Sequence, residues 1–429
     1  MSEMFGTNNQ SPKNQLTQPN NSQTTKKFIQ FGCWNNLNTD PTTGKTKGCL
    51  SKVIDKLKQH IRETNAPDFL VISGDNYYPH KTTVGTTKIK TIYPSKLKNG
   101  FDILPNIHTY MILGNHDLEP NDPNKGYKIK NNKNENITPT SNCEILNLQF
   151  NAIAGKNIEY RLFESKVLTP NTILFMIDTS IYETSVAIDY LTCYKEFLKK
   201  SPIDRLNIDN LNIDNLNIDN LNIDNLITFQ LEKMQSFMKP EYSNIIIVGH
   251  HPIYQARFKK NKKQFLSDIF ENFKSTLLEL FDINPDANYY YLCSDLHLFQ
   301  NGLIEIKNSQ GQIMKIKQYI SGTGGTELDD SLYSRNNQSA IKETEFSSKD
   351  IRYKVDNDIA QCGFLECEYG DTLKFTPWTI DSGDNLIQLP VNDNLNFTGQ
   401  FPTVSGGSKK RKSRKRNKKY KTKKIKNKK

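Results

Sequence analysis

The chain reads as an α/β protein organised around short buried strands, and three observations lead to that class. Apolar, β-branched runs stop abruptly at Gly in "DFLVISGD", "HTYMILGNHD" and "YSNIIIVGHHP". Stretches with apolar residues at helical spacing alternate with these runs, the pattern of a layered α/β fold. Each run also ends on oxygen or imidazole side chains, where open α/β sheets place their sites.

In chain order, residues 1–26 are polar throughout and read as a disordered leader, too poor in apolar groups to repay the entropy of ordering. "KFIQFGCW" is a strand entering a turn, and "GCLSKVIDKLKQHIRET" presents Leu50, Val53, Ile54, Leu57 and Ile61 on one helix face. "DFLVISGD", "HTYMILGNHD" and "NTILFMIDTS" follow as strands. Between residues 206 and 225 the pentapeptide "LNIDN" occurs four times in succession. A five-residue period matches neither a helix face nor strand alternation, so the repeat is expected to be an inserted surface loop. "TFQLEKMQSFMKPE" is helical, "YSNIIIVGHHP" a buried strand, "FLSDIFENFKSTLLELFDI" a long amphipathic helix and "YYYLCSDLH" the next strand. "IKQYISGTGGTE" ends a strand in a Gly-rich turn, and "CGFLECEYGDTLKFTPW" reads as a closing hairpin. Residues 27–402 are thus expected to form one domain, followed over 403–429 by a Gly/Ser hinge and a basic tail.

The formal charge of +11 belongs to that tail: residues 409–429 hold fifteen Lys or Arg and no acid, leaving 42 basic against 46 acidic residues elsewhere. Such a run suits nucleic acid, an anionic membrane face or nuclear import, against the plainer reading of a solvated extension. With a single aromatic, Tyr420, it is no base-stacking platform. The seven cysteines show no framework spacing and no signal peptide is visible. The expectation is an intracellular protein, cytoplasmic or nuclear, in a reducing compartment. No apolar run approaches the length of about 20 residues that crosses a bilayer.

The donors at the strand ends are Asp75, Tyr78, Asn115, His116, His250 and His297. Carboxylate, phenol, amide and imidazole together suit a pair of hard-to-borderline metal ions rather than a closed structural zinc. A two-metal phosphoesterase needs one carboxylate that bridges both ions, and Asp75 is the candidate. Tyr78 is placed to serve one ion, and Asn115 and His250 the other. His116 is followed by Asp117, which is expected to orient its imidazole toward a leaving oxygen.

The ordered set "GCW", "GDNYY", "GNHD", "GHHP" and "SDLH" resembles the calcineurin-like metallophosphoesterases, and within them the purple, tartrate-resistant type acid phosphatases, whose pattern reads GDW, GDNFY, GNHD, GHYP, GHDH. The match covers roughly residues 27–330, with "FMIDTS", "QLEKMQSFM" and "YISGTGG" as supporting segments. The resemblance implies a two-sheet β-sandwich flanked by helices and phosphomonoester hydrolysis by a metal-bound hydroxide. It implies two metal ions as cofactors, iron with a second iron, zinc or manganese. Asp75 would bridge them, Tyr78 and His297 would bind the first, iron-type ion, and Asn115 and His250 the second. His116 would face the substrate and His251 contact phosphate. Two positions depart from the pattern: Cys33 stands where the family has an Asp ligand of the first ion, and Asp295 where it has a His ligand of the second. Both residue types bind metals, a thiolate favouring Zn(II) or Fe(II). Each also has a plain reading, Cys33 as a small buried strand-end residue and Asp295 as a surface-turn acid.

Two function classes follow: a metal-dependent phosphatase acting on a phosphorylated substrate, or a degenerate relative serving as a structural or polyanion-binding module. His60, His80 and His108 show no partner pattern and are expected in core or solvent roles. Cys362 and Cys367 fall on one hairpin and are not read as a metal site.

Overall fold

The computed structural model describes residues 26–37, 48–84, 87–119, 127–130, 133, 135–138, 143–183, 187–200, 221–259, 262–332, 345–392, 394–397 and 401–402. Residues 1–25 of the leader, the first three copies of the LNIDN repeat, and the hinge and basic tail over 403–429 lie outside them.

Two large sheets lie face to face. The seven-stranded sheet runs, edge to edge, Leu386–Gln388, Lys374–Ile380, Gly363–Tyr369, Lys26–Phe31, Phe69–Ser73, Thr109–Ile112 and Ile158–Tyr160. The eight-stranded sheet runs Glu345–Ser347, Ile351–Ile359, Phe299–Lys307, Ile313–Ser321, Asn288–Cys293, Asn244–Val248, Thr172–Ile177 and Phe163–Thr169. Four neighbouring strands are parallel in each: Phe28 opposes Phe69 and Leu70 opposes Thr109 in the first, Ile173 opposes Ile245 and Ile245 opposes Tyr289 in the second.

Alternate residues of these strands point to different layers, which explains why the runs are apolar throughout. Phe28, Phe69, Val71 and Ile112 meet Leu174, Met176, Ile246, Val248 and Leu292 in a layer built from the two sheets alone. Their neighbours face outward: Ile29, Leu70 and Ile72 join Leu50, Ile54 and Leu57 of the helix Leu50–Glu63, while Ile245 and Ile247 join Phe273 and Leu277 of Phe270–Ile283. The result is helix, sheet, sheet, helix, the expected α/β sandwich. Among the described residues no helix is long and apolar enough to cross a membrane.

Three sequence expectations change. The fourth LNIDN copy is no loop: Leu221 is buried and Asn222 caps the helix Ile223–Phe237, its side chain accepting from Asn225 N–H at 2.8 Å while Asn225 reciprocates. An Asn at the N-cap and a second amide three residues on make this copy a helix start. The chain after Tyr78 and after Asp117, to which the sequence assigns no element, supplies a small sheet of His80–Val84, Thr87–Ile92, Tyr127–Lys130 and Asn136–Ile137.

The cysteines are the third. Four of the seven are paired, Cys49 with Cys362 and Cys143 with Cys193, leaving Cys33, Cys293 and Cys367 as buried thiols. Cys49 and Cys143 each precede a helix, and their partners lie 313 and 50 residues away, so no local spacing signals the pairs. The two pairs count against the cysteine part of the case for a reducing compartment, since disulfides of this kind persist in oxidising surroundings. Protein denatured without reductant should titrate with three thiols and reduced protein with seven; seven in both would remove the two bridges.

His60 is a core residue. Its Nε2 lies 2.8 Å from Glu366 Oε2, which also accepts from Lys27 Nζ at 2.7 Å, tying the first helix to the sheet beneath it. Burial alone would push the Glu366 carboxyl up, but the hydrogen bonds and charges of His60 and Lys27 outweigh it and hold it down to about 2. The folded pKa is below the unfolded value of about 4.3. The resulting stabilisation is therefore present at neutral pH and lost as pH falls from that value through about 2. Glu366→Gln strands the Lys27 charge and is expected to cost about 3–5 kcal/mol at pH 7. Urea unfolding at pH 7 and pH 3 reads both effects: the gap between wild type and variant should shrink at the lower pH.

Candidate metal centre

The four parallel strands of each sheet deliver their C-terminal ends to one rim, and the loops there interlock. Cys33 N–H donates to Gly74 O at 3.0 Å, Ser294 N–H to His250 O at 2.9 Å and Gly32 N–H to Ser321 O at 3.1 Å. Three residues leave their strands in left-handed backbone, Cys33 at φ 51°, Asp75 at 54° and Asp295 at 57°. Non-glycine residues seldom adopt this region, and where they do the surroundings enforce it. Cys33 and Asp295, the two departures from the family pattern, share this geometry with Asp75. The glycines before the donors are required by closeness: a Cβ on Gly74 would sit 2.5 Å from His250 Nδ1, and one on Gly114 2.4 Å from Asp75 Oδ1.

Asp75 is buried at the middle, and its two oxygens face different groups. Oδ2 accepts from the Tyr78 hydroxyl at 2.7 Å and lies 3.9 Å from Cys33 Sγ; the Tyr78 oxygen is in turn 3.1 Å from His297 Nε2. Oδ1 accepts from His116 N–H at 3.1 Å and lies 3.3 Å from His250 Nε2, which is 3.9 Å from Asp295 Oδ1. Donor atoms of Cys33, Asp75 and His250 all fall within 4.8 Å of one another, as do those of His250, His251 and Asp295. Asp295 is 17% exposed, not a surface-turn acid.

The donor set fits a cation. His250 Nδ1 is 2.8 Å from the Ser73 carbonyl and must carry the proton of that bond. Burial lowers the pKa of His250, more than Asp75 raises it, which favours the neutral ring with a lone pair on Nε2. Among the described residues that position has no hydrogen-bond partner, and it faces two carboxylates. The carbonyl oxygen of the Asn115 side chain is likewise buried without a donor. Lone pairs and carboxylates crowded in low dielectric repel unless positive charge lies among them. Burial and the Asp75 charge also hold the Cys33 thiol and the Tyr78 phenol well above their usual pKa values. A cation bound beside them would reverse that order and favour both as anions.

Other expected residues are placed differently. Asp117 does not touch His116. Its carboxylate accepts from Asn76 N–H at 2.9 Å, the Asn76 amide at 2.8 Å, Gly114 N–H at 2.8 Å and Gln149 at 2.7 Å, joining the loop of Asp75 to that of Asn115. A carboxylate filled by four buried N–H donors has no capacity left for the imidazole. His116 instead has Glu119 beside it, Nδ1 to Oε1 at 3.1 Å. His251 is buried, its Nδ1 3.1 Å from Thr179 Oγ1 and its Nε2 3.4 Å from Glu183 Oε2. Glu119, Thr179, Glu183, Ser73 and Asp329, whose carboxylate accepts from His297 N–H at 2.9 Å, were missed in the sequence. Thr179 stands in the supporting segment "FMIDTS", a signal of place without a role.

Asp117→Ala leaves the N–H groups of Asn76, Gly114 and Gln149 buried without an acceptor, at about 1–3 kcal/mol each. The expected loss is about 3–5 kcal/mol, read as a fall in the urea midpoint, and Asp117→Asn should recover part of it. A loss under about 1 kcal/mol would show that the carboxylate does not hold the two loops together.

Comparison with known proteins gives this arrangement its family. The family model "Calcineurin-like phosphoesterase" matches residues 26–284, a span that includes Cys33 through His251 and stops short of Asp295 and His297. No curated protein matches the chain. Among solved structures, the purple acid phosphatase PPD1 from seeds of yellow lupin (Lupinus luteus) is 10% identical with a TM-score of 0.43, over 85% of this chain and 53% of that one. A structure of PhoD is 10% identical with a TM-score of 0.39, over 89% of this chain and 73% of that one. The chain thus spans about half the length of the lupin structure. With the family model covering more than half of its residues, the chain belongs to the calcineurin-like phosphoesterases.

Proposed function

We propose that the chain hydrolyses phosphomonoesters at a centre of two metal ions. The observation that carries this reading is the buried Nε2 of His250, which faces Asp75 and Asp295 with no hydrogen-bond partner among the described residues. Cys33, Asp75, Tyr78 and His297 would hold one ion, and Asp75, Asn115, His250 and Asp295 the other. Bound there, the ions would supply Lewis acidity that neutralises phosphate charge and makes water a nucleophile near neutral pH. The thiolate suits a borderline divalent ion, so iron with iron, zinc or manganese is the set to test.

The protein groups then divide the remaining work. Thr179 Oγ1 accepts from both His250 N–H, at 3.0 Å, and His251 N–H, at 2.9 Å, so its own proton is directed at His251 Nδ1. We assign His251 the tautomer with its proton on Nε2, a donor toward a phosphate oxygen. His116 gives its Nε2 proton to the leaving oxygen as the ester bond breaks.

One observation favours a second reading, a phosphoesterase fold of weak or no activity. Asp295 and Glu183 add carboxylates within 3.9 Å of His250 and 3.4 Å of His251, where negative charge opposes an entering phosphate. In that case the basic run 409–429 would provide the contact with a polyanionic partner.

Metal analysis of the full chain, with an aryl phosphate assay under added iron, zinc or manganese, separates the two. The first reading expects about two ions per chain and turnover that His250→Ala abolishes. Fewer than one tightly held ion with no turnover supports the second. Cys33→Asp with Asp295→His should then raise activity at least about tenfold if the exchanged ligands are the cause.

A further inference from the structure

We propose that Glu119 is the positioning residue for His116, with Lys90 completing the arrangement; the inference rests on the phosphoesterase reading above. His116 lies in the short 3-10 turn Asn115–Asp117, and Glu119 follows two residues beyond that turn. Glu119 Oε1 is 3.1 Å from His116 Nδ1, off the N–H axis, while its other oxygen pairs with Lys90 Nζ. Lys90 comes from Thr87–Ile92, in the small sheet inserted after Tyr78. Two separate elements therefore converge on one carboxylate.

The imidazole is otherwise constrained on two sides. Its backbone N–H donates to Asp75 Oδ1 at 3.1 Å, and its ring lies 5.1 Å, centre to centre, from that of Tyr78. With Nδ1 against Glu119, Nε2 is the ring atom presented to a leaving oxygen. A partly exposed ion pair contributes little to stability, about 0–1 kcal/mol, so holding the fold does not account for Glu119. Catalytic contacts in an empty site are commonly off line and tighten around substrate, which is the state of the Glu119–His116 contact. The carboxylate fixes the ring's rotation, and Lys90 restrains the carboxylate from the far side.

A group that orients a proton donor matters most where the leaving group needs the proton. The test compares ethyl phosphate, whose alkoxide leaves only with protonation, with p-nitrophenyl phosphate, whose phenolate leaves without it. Glu119→Gln should lower kcat for ethyl phosphate by about 30–100-fold and for p-nitrophenyl phosphate by less than about 3-fold, with KM within about 2-fold for both. Metal content and thermal midpoint should stay at wild-type values. Lys90→Gln should repeat the pattern at about 3–10-fold, and Glu119→Asp should recover part of the ethyl phosphate rate. His116→Gln combined with Glu119→Gln should be no slower than His116→Gln alone, because both act through one group.

Equal losses with the two leaving groups, or a double variant whose loss is the product of the single losses, would overturn the role of Glu119 and leave the phosphoesterase reading standing. A metal-loaded wild type that turns over neither ester would overturn that reading and this inference with it.

Discussion

The carboxylate of Asp75 is claimed on its two oxygens by different parts of the chain, and the rim of the sandwich is arranged around that division. On one side stand Cys33, Tyr78 and His297; on the other, the backbone of His116 and the rings and acids supplied by His250 and Asp295. Burial would neutralise Asp75, but the hydrogen bonds that its oxygens accept from the Tyr78 hydroxyl and the His116 N–H favour the anion. The price of keeping an anion here is met by architecture: left-handed backbone at three strand exits and glycines where a Cβ would strike a donor.

Much of this was legible in the sequence because the strands are buried on both faces. A run such as "NIIIV" has one layer beneath and another above, so it is apolar throughout and its end is marked by the first Gly and the first polar donors. That punctuation identified Asp75, Tyr78, Asn115, His116, His250 and His297, and the structure brings the loops bearing them to one rim. Residue type alone left the plain and the ligand readings of Cys33 and Asp295 both open; the structure adds that they share the backbone geometry of Asp75 and lie 3.9 Å from Asp75 Oδ2 and from His250 Nε2 respectively.

What the sequence concealed depends on distance or on competition between partners. Cys49 and Cys362 are joined over a separation of 313 residues, and no local pattern records such a pair. Adjacency suggested that Asp117 serves His116, but the 3-10 turn sends its carboxylate back to Gly114 and across to Asn76, and Glu119 is the acid that reaches the ring. Thr179 and Glu183 act on His251 from another strand's exit, and neither residue type is distinctive alone. The repeat shows the opposite error: read as a loop, its described copy starts a helix.

The strand order of the seven-stranded sheet bears on how the protein is made. Lys26–Phe31 lies between Phe69–Ser73, which is close in the chain, and Gly363–Tyr369, which is synthesised more than three hundred residues later. At about 5–20 residues per second, roughly 20–70 s separate the emergence of the first strand from that of its second neighbour. During that interval Phe28, destined for the dry interior, belongs to a sheet with an open flank, the template that mispairs with other chains. In a nascent chain of this design that flank stays without its second neighbour until the last third leaves the ribosome.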